Sequence, residues 1–218
     1  MKNKCLELCK KEKYNIQDLL DIMVILRGEN GCPWDKEQDH RSIRTCLIEE
    51  AYESAEAIDR DSDQMLCEEL GDLLLQVVFH AQIAQEAGGF TFDDICDGIC
   101  RKMIVRHPHV FSDGRADTSE QVLDRWDEIK AQTKGQKTLR QTLDGVCSAL
   151  PALMRAGKLA KKAHKAGAYE IPHPLRDGSD PDQIGEILFQ IAAQAAQNGV
   201  DAEDALQKKC VSFLEQYE

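Results

Sequence analysis

Apolar residues recur along most of the chain at the three- and four-residue spacing of amphipathic helices. Aromatic residues make up only 6% of the sequence, and long runs rich in Ala, Leu, Glu, Gln and Lys favour helix over sheet. The pattern therefore predicts an all-α protein. The predicted helices span residues 15–27, 42–59, 64–86, 91–104, 119–130, 150–166, 183–197 and 202–216.

Local sequence signals indicate where the first helices begin and end. Ser42 and Thr91 are predicted N-caps, because a side-chain oxygen at that position can accept a hydrogen bond from the first turn. Gly28 and the segment 31–35 end the first helix, and Pro108 stops the fourth from continuing. Short turns between the first four helices predict an antiparallel four-helix bundle.

The sequence also contains an internal similarity. Residues 71–76, Gly-Asp-Leu-Leu-Leu-Gln, correspond to residues 185–190, Gly-Glu-Ile-Leu-Phe-Gln, and both are followed by a glycine and a final amphipathic helix. Chance similarity between two helices rich in Leu and Ala is the alternative to a duplication. We predict a four-helix-bundle domain over residues 1–132, followed by a shortened, degenerate second helical copy over residues 138–218.

Four acidic residues form two pairs on consecutive predicted helices. Glu50 and Glu53 share one helix face, as do Glu69 and Asp72, because positions three apart lie within about 60° of each other. Antiparallel neighbours would bring the pairs together, and four converging negative charges require a compensating cation. Carboxylate oxygens suit Mg²⁺, with Mn²⁺ as the second choice. Solvated charges on two acidic helices are the alternative interpretation.

The apolar stripes of these two helices are expected to face the core, with the four carboxylates at their edges. Gln76 and His80 lie on the same flank of the third helix as Glu69 and Asp72. The predicted stripes comprise Ile43, Leu47, Ala51, Ala55 and Ile58 on the second helix and Leu66, Leu70, Leu73, Val77 and Ala81 on the third.

Composition narrows the class of partner and the compartment. Acidic residues outnumber basic ones by 39 to 27, giving a net charge of −12. Such a surface repels phosphate backbones, so we expect no nucleic-acid partner. Nine cysteines and an N-terminus without an apolar signal region favour reduced thiols in a cytoplasmic protein. No stretch of about 20 apolar residues occurs, so we expect no membrane span.

Five motifs resemble, in the same order, those of the MazG family of nucleoside triphosphate pyrophosphohydrolases, within the all-α nucleotide pyrophosphohydrolases. The resemblance covers about residues 15–166. It implies Mg²⁺-dependent hydrolysis of nucleoside triphosphates to monophosphate and pyrophosphate, a housekeeping role in the nucleotide pool and a helical homodimer. The motifs are Gly-Cys-Pro-Trp-Asp-Lys-Glu-Gln at 31–38, Glu-Leu-Gly-Asp-Leu-Leu at 69–74, Arg-His-Pro-His-Val-Phe at 106–111, Trp-Asp-Glu-Ile-Lys at 126–130 and Leu-Pro-Ala-Leu-Met-Arg-Ala at 150–156.

Residue roles follow from that resemblance and from the chemistry of phosphoryl transfer. The metal ligands would be Glu50, Glu53, Glu69 and Asp72, and Glu49 and Glu53 are the candidates for the base that takes a proton from the attacking water. Each tryptophan could stack on a base, although packing in a core or interface is the alternative. The expected substrate contacts are Lys102 and Arg106 with phosphates, and Trp126, Lys130 and Trp34 with the rest of the nucleotide.

Two other interpretations remain open. One keeps the chemistry but narrows the substrate to a deoxynucleotide or a phosphoribosyl-nucleotide. The other is a catalytically silent dimeric nucleotide sensor or scaffold. The second copy supports this interpretation, because most of its acidic ligands are missing. Gln183 stands in the place of Glu69, and Glu186 stands in the place of Asp72.

Overall fold

The computed structural model describes residues 2–112, 118, 122, 125, 126, 129, 138–170 and 180–217. These residues form helices and connecting turns, which confirms the prediction of an all-α protein. The chain divides into two compact units, residues 1–104 and 105–218. The first unit holds α1 (Lys2–Leu8), α2 (Ile16–Arg27), α3 (Pro33–Glu37), α4 (Arg44–Asp59), α5 (Asp63–Glu86) and most of α6 (Phe92–Arg106). The second holds α7 (Pro108–Phe111), α8 (Leu139–Asp144), α9 (Ala152–Lys165), α10 (Pro181–Gln197) and α11 (Ala202–Glu215).

Side-chain caps fix where several of these helices begin. Asn15 caps α2 and forms a reciprocal capping box with Asp18. Ser62 caps α5 through the amide of Met65, and the Thr91 hydroxyl accepts from the amide of Asp94, as predicted for α6. The prediction for Ser42 was wrong. Its hydroxyl pairs with the backbone of Asp39 instead, and α4 begins one residue later without a side-chain cap.

Four short helices were not predicted: α1, α3, α7 and α8. Prolines explain two of them. Pro33 and Pro108 each occupy the first turn of a helix, where the missing N–H leaves no hydrogen bond unmade. A proline that ends one helix can therefore start the next, as Pro108 does directly after α6. The predicted helix at 119–130 and the loop at 173–182 fall mostly outside the described residues.

The core of the first unit lies where α2, α4 and α5 meet. Its buried side chains are Met23, Ile43, Val78, Phe79 and Ile83, with Leu19, Leu20, Leu75 and Phe92 packed around them. Burying such side chains contributes roughly 1.5–3 kcal/mol each relative to exposure. The α4–α5 pair is the most extensive helix contact here, and a three-residue turn joins the two helices.

Arg27 ties three elements together at one end of this core. Its guanidinium donates to the carbonyl oxygens of Asp35 and Gln38 and pairs with Glu86 at 2.8 Å. The guanidinium also lies over the ring of Phe79, 5.4 Å from its centroid. The segment after α3 is thereby fastened to both α2 and α5.

The predicted apolar stripes were only partly correct: Ile43 and Ala81 are buried as expected, but other members of the stripes are not. Ile58 of α4 is 59% exposed and Leu70 of α5 is 49% exposed, although both were expected to face the core. On α4 the inward positions are Ile43, Ser54 and Ala57, with the half-buried Glu50 on the same face. Both helices carry apolar residues on two sides, so periodicity alone does not choose the face that packs.

The second unit has a separate core formed by α8, α9 and α11. Its buried residues are Leu143, Val146, Leu159, Ala163 and Cys210. The predicted boundary at 132–138 lies largely outside the described residues, so the domain limits and the degenerate copy stay predictions. Of the helices described, none has the length and apolar character needed to cross a membrane.

Candidate metal centre

Three of the four predicted metal ligands converge between α4 and α5. Glu50 of α4 and Glu69 and Asp72 of α5 each place a carboxylate oxygen within 4.8 Å of the others. Glu69 and Asp72 share a face because they lie three residues apart on one helix. The short turn after Asp59 folds α4 back along α5 and brings Glu50 to them. Glu50 and Glu69 are half-buried, and Asp72 is exposed.

Glu53 is the fourth predicted ligand, and it lies beside this group of three rather than within it. Its side chain is exposed, and its negative charge is among the causes that raise the pKa of Glu50 and of Glu69. Glu53 is thus close enough to act electrostatically on the cluster while remaining open to solvent.

Among the described residues, burial and acidic neighbours are the causes that shift the pKa of the carboxylates at this cluster. Burial is the largest cause that raises the pKa of Glu50, followed by the charges of Glu53 and Asp72. The pKa of Glu69 is raised by burial first and then by the charges of Glu53, Glu68 and Asp72. No basic side chain is among the causes of either shift.

These side chains fit a hard divalent cation. Three carboxylates with oxygens in mutual reach supply the donor atoms that Mg²⁺ or Mn²⁺ prefers, and the open side at Asp72 leaves coordination positions for water or phosphate. A cation there would relieve the repulsion that raises the two pKa values. The arrangement can therefore hold a metal ion and present it to an anionic ligand.

The predicted substrate residues occupy several different places. Lys102 is exposed on α6, and Arg106 lies one turn further along the same helix. The guanidinium of Arg106 sits over the ring of Trp126, 5.2 Å from its centroid, and His107 contacts that ring edge-on at 4.9 Å. Trp126 is therefore half-buried against Arg106 and His107, and its contact with a nucleotide stays a prediction.

The remaining predicted residues are at the surface or outside the described chain. Trp34 is 58% exposed on α3, with its ring free to meet a ligand. Glu49 is exposed on α4 beside Glu50. Lys130 lies outside the described residues.

Three side-chain polar atoms of α4 and α5 are buried without a hydrogen-bond partner among the described residues. They are Ser54 Oγ, Gln76 Oε1 and His80 Nε2. The sequence placed Gln76 and His80 on the flank of the acidic residues, but it gave no sign that Ser54 is buried. Nor did it reveal His40, which bonds to His80 from forty residues away.

Comparison with known proteins agrees with this geometry. A model of the MazG nucleotide pyrophosphohydrolase domain matches residues 38–111, the span that carries the three carboxylates. A nucleoside triphosphate pyrophosphohydrolase of Escherichia coli (strain K12) is 42% identical over 220 residues, covering 91% of this chain and 84% of that protein. The nucleoside triphosphate pyrophosphohydrolase/pyrophosphatase MazG of Thermotoga maritima is 40% identical over 217 residues, covering 92% and 83%.

Among solved structures, a mazG-related protein from Thermotoga maritima aligns with a TM-score of 0.45 at 27% identity. The alignment covers 53% of this chain and 98% of that one. The family assignment rests on the sequence relatives, since two of them share about two fifths of their residues with this chain over nine tenths of its length. The chain belongs to the MazG nucleotide pyrophosphohydrolase family.

Proposed function

We propose that this protein hydrolyses nucleoside triphosphates to nucleoside monophosphate and pyrophosphate with Mg²⁺ held by Glu50, Glu53, Glu69 and Asp72. The observation that carries the proposal is the convergence of three carboxylates within 4.8 Å, in a chain whose relatives are named for this reaction. Mn²⁺ would substitute, because it takes the same oxygen ligands. Such an activity fits housekeeping of the nucleotide pool.

The chain's own residues divide the work of the reaction. Bound Mg²⁺ would supply neutralisation of the negative charge on the triphosphate oxygens. Glu53 is open to solvent and adjacent to Glu50, so it is placed to accept a proton from the attacking water; Glu49 is the second candidate. Lys102 and Arg106, one turn apart, would bind phosphate oxygens.

Trp34, Trp126 and Lys130 are the predicted contacts with the parts of the nucleotide other than its phosphates. Trp34 presents an exposed ring that a base can stack against. Trp126 already packs against Arg106 and His107, so its expected role is to orient Arg106. Lys130 follows Trp126 by four residues in the sequence and is kept as a contact with the nucleotide outside its phosphates.

Pyrophosphate release from a panel of ribo- and deoxynucleoside triphosphates tests the proposal, with Mg²⁺, with Mn²⁺ and with neither. Glu53→Gln and Asp72→Asn should each lower the rate roughly a hundredfold, because each removes a metal ligand. Glu186→Gln is the matched control: Glu186 is the counterpart of Asp72 in the second copy, lies exposed on α10 and should leave the rate unchanged. Wild-type turnover in the presence of EDTA would refute the metal-dependent mechanism.

A catalytically silent nucleotide sensor is the alternative that the missing acidic ligands of the second copy suggested, and relatives named for the hydrolysis do not favour it. Gln183 and Glu186 are both exposed on α10, in the places of Glu69 and Asp72. A sensor would bind ATP in equilibrium dialysis and release no pyrophosphate with either metal. Turnover in the assay above excludes it, and the choice of nucleotide separates the narrower substrate classes.

We also propose that the protein acts as a homodimer in the cytoplasm, without a nucleic-acid partner. Apolar side chains one turn apart remain exposed on both helices of the acidic pair: Ile48 and Tyr52 on α4, and Leu70 and Leu74 on α5. A second copy would cover them. Nine free cysteines support a cytoplasmic location, where thiols stay reduced. The net charge of −12 argues against binding to nucleic acid, because an acidic surface repels phosphate backbones. Light scattering should give twice the mass of the chain, and Tyr52→Glu should halve it.

A further inference from the structure

His40 and His80 form a bond that no part of the proposed reaction uses. Their Nδ1 atoms lie 2.8 Å apart, with the ring planes inclined by 14° and the centroids 5.1 Å apart. So wide a centroid separation at so short a nitrogen distance places the rings edge to edge in nearly one plane. That is the geometry of a linear N–H···N hydrogen bond.

The space between the two nitrogens holds a single proton. Two protonated Nδ1 atoms would clash, and two bare ones would set lone pair against lone pair. A tetrahedral zinc ion is excluded as well, since two nitrogens at about 2.0–2.1 Å from zinc stand roughly 3.3 Å apart. The bond therefore exists only while one Nδ1 carries a proton and the other does not.

This bond fastens one end of α4 to α5. Asp39 accepts from the amides of Arg41 and Ser42, and its carbonyl accepts from the amide of Ile43, so the turn that bears His40 continues directly into α4. Ile43 is 1% exposed in the core, which anchors the same point. At its other end, α4 is held to α5 by the short turn before Asp63.

The carboxylate cluster lies between these two attachments. Asp72 precedes His80 by eight residues, or about 12 Å along the helix. Glu50 sits near the middle of α4. A slide of α4 along α5 would change the distance from Glu50 to Asp72 and Glu69, and the attachment at His40 opposes that slide.

We propose that His40 and His80 form a one-proton latch that positions α4 against α5, so that Glu50 stands close enough to Glu69 and Asp72 to share a metal ion, and that protonation of both Nδ1 atoms opens the latch. The inference rests on the proposed metal site. Neither histidine touches metal or substrate; both are positioning residues.

The surroundings of the two rings differ. His40 is exposed to solvent. Burial, and then the charge of His40, lowers the pKa of His80, whose Nε2 is buried without a hydrogen-bond partner among the described residues. On the neighbouring elements, the charged groups at this end are Arg27 of α2, which pairs with Glu86, and Arg44 at the start of α4. Asp39 and Arg41 flank His40 in the turn.

The test is Mn²⁺ affinity between pH 5 and pH 8, measured by electron paramagnetic resonance of the free ion. His40→Ala removes an exposed side chain, and His80→Phe keeps a ring in the buried position. Each variant removes one of the two nitrogens that form the bond. Losing one hydrogen bond should weaken affinity about fivefold at pH 8. The double variant should bind no more weakly than either single variant, because the second substitution finds the latch already open.

The ratio of wild-type to variant affinity separates positioning from general damage to the fold. The wild type and the histidine variants carry the same carboxylates, so the ratio of their affinities reports the effect of the histidine pair alone. It should fall from about five at pH 8 to about one at pH 5, where the wild-type latch is also open. His164→Phe, on α9 of the second unit, should match the wild type at every pH. A constant ratio, or additive losses in the double variant, would overturn the latch.

Failure of the latch and failure of the metal site give different results. Mn²⁺ binding that is identical in wild type, His40→Ala and His80→Phe refutes the latch and leaves the metal site standing. No Mn²⁺ binding in the wild type, at any pH, refutes both. A nitrogen-15 titration of the metal-free protein gives the proton count directly: one Nδ1–H shared by the pair supports the latch, and two independent ring titrations refute it.

Discussion

Neutralising Glu50 should make the metal-free protein more stable while removing the response to metal. Glu50→Gln keeps the shape of the side chain and deletes one of three charges whose oxygens lie within 4.8 Å of one another. In the absence of a cation these charges repel, and the raised pKa of Glu50 follows from burial first and from that repulsion second. Neutralising an isolated, solvated glutamate on a helix surface would bring no such gain in stability.

The size of the effect follows from Coulomb's law. Two unit charges 4.8 Å apart repel by about 0.9 kcal/mol at the dielectric constant of water and several times more in a protein interior. Asp72 is exposed and Glu50 only half-buried, so solvent screening keeps the estimate near the lower value. Glu50→Gln removes the repulsion with both Glu69 and Asp72, so it should stabilise the metal-free protein by about 1–2 kcal/mol, a rise in Tm of roughly 2–8 °C for a chain of this size.

Thermal unfolding in EDTA and then in Mg²⁺ measures both halves of the prediction. Mg²⁺ at a hundred times its Kd should stabilise the wild type by about 2.7 kcal/mol, which reverses the order of the two proteins. The pKa of Glu50 is raised in the folded state, so the folded protein binds more protons and loses stability as pH rises from its ordinary value of 4.5. The advantage of Glu50→Gln in EDTA should accordingly grow from pH 4.5 to pH 7.

The outcome that refutes this reasoning is a metal-free Glu50→Gln protein that unfolds at or below the wild-type temperature. Glu186→Gln provides the control, because it makes the same chemical change at an exposed position on α10. Its Tm should stay within the error of the wild type in EDTA and in Mg²⁺.

Three further substitutions test other parts of the structure by urea unfolding. Arg27→Ala should cost roughly 2–3 kcal/mol, since it removes the ion pair of Glu86 and one hydrogen bond from each of the carbonyl oxygens of Asp35 and Gln38. Arg27→Lys should restore only part of that stability. Gly31→Ala should cost about 1–3 kcal/mol, because the added Cβ would overlap the carbonyl oxygen of Leu26. Ser54→Ala should be neutral or stabilising by up to about 1 kcal/mol, because the buried hydroxyl has no hydrogen-bond partner in the part of the chain that the structure describes. A clear loss of stability would show that the hydroxyl has a partner.

Much of the helical framework could be predicted because helix ends are encoded locally. Asn15, Ser62 and Thr91 each accept a hydrogen bond from within their own first turn, so a window of four residues contains the whole signal. Ser42 shows the limit of that reasoning. Its hydroxyl had a competing local partner in Asp39, and nothing in the spacing of the residues decides which bond forms.

The candidate site could be predicted as a set of residues but not as an arrangement. The three-residue spacing of Glu69 and Asp72 places them on one face whatever surrounds them. Which face of α4 meets α5 depends on the partner helix, and here the inward line runs through Ile43, Glu50 and Ser54. Glu50 is therefore more central than the sequence indicated.

Helix α5 packs against two helices, α2 and α4, and the two contacts differ in character. Toward α2 the contact is apolar, with Met23 against Phe79 and Ile83 and with Arg27 clamping the end. Toward α4 the same helix meets Glu50 and buries unpartnered polar atoms, which costs free energy that an apolar contact would not. The α2 side can hold α5 in place whether or not metal is bound, so the α4 side is free to carry charge. For this reason we expect loss of metal to loosen α4 before α2, and hydrogen exchange in EDTA should rise first in the amides of α4.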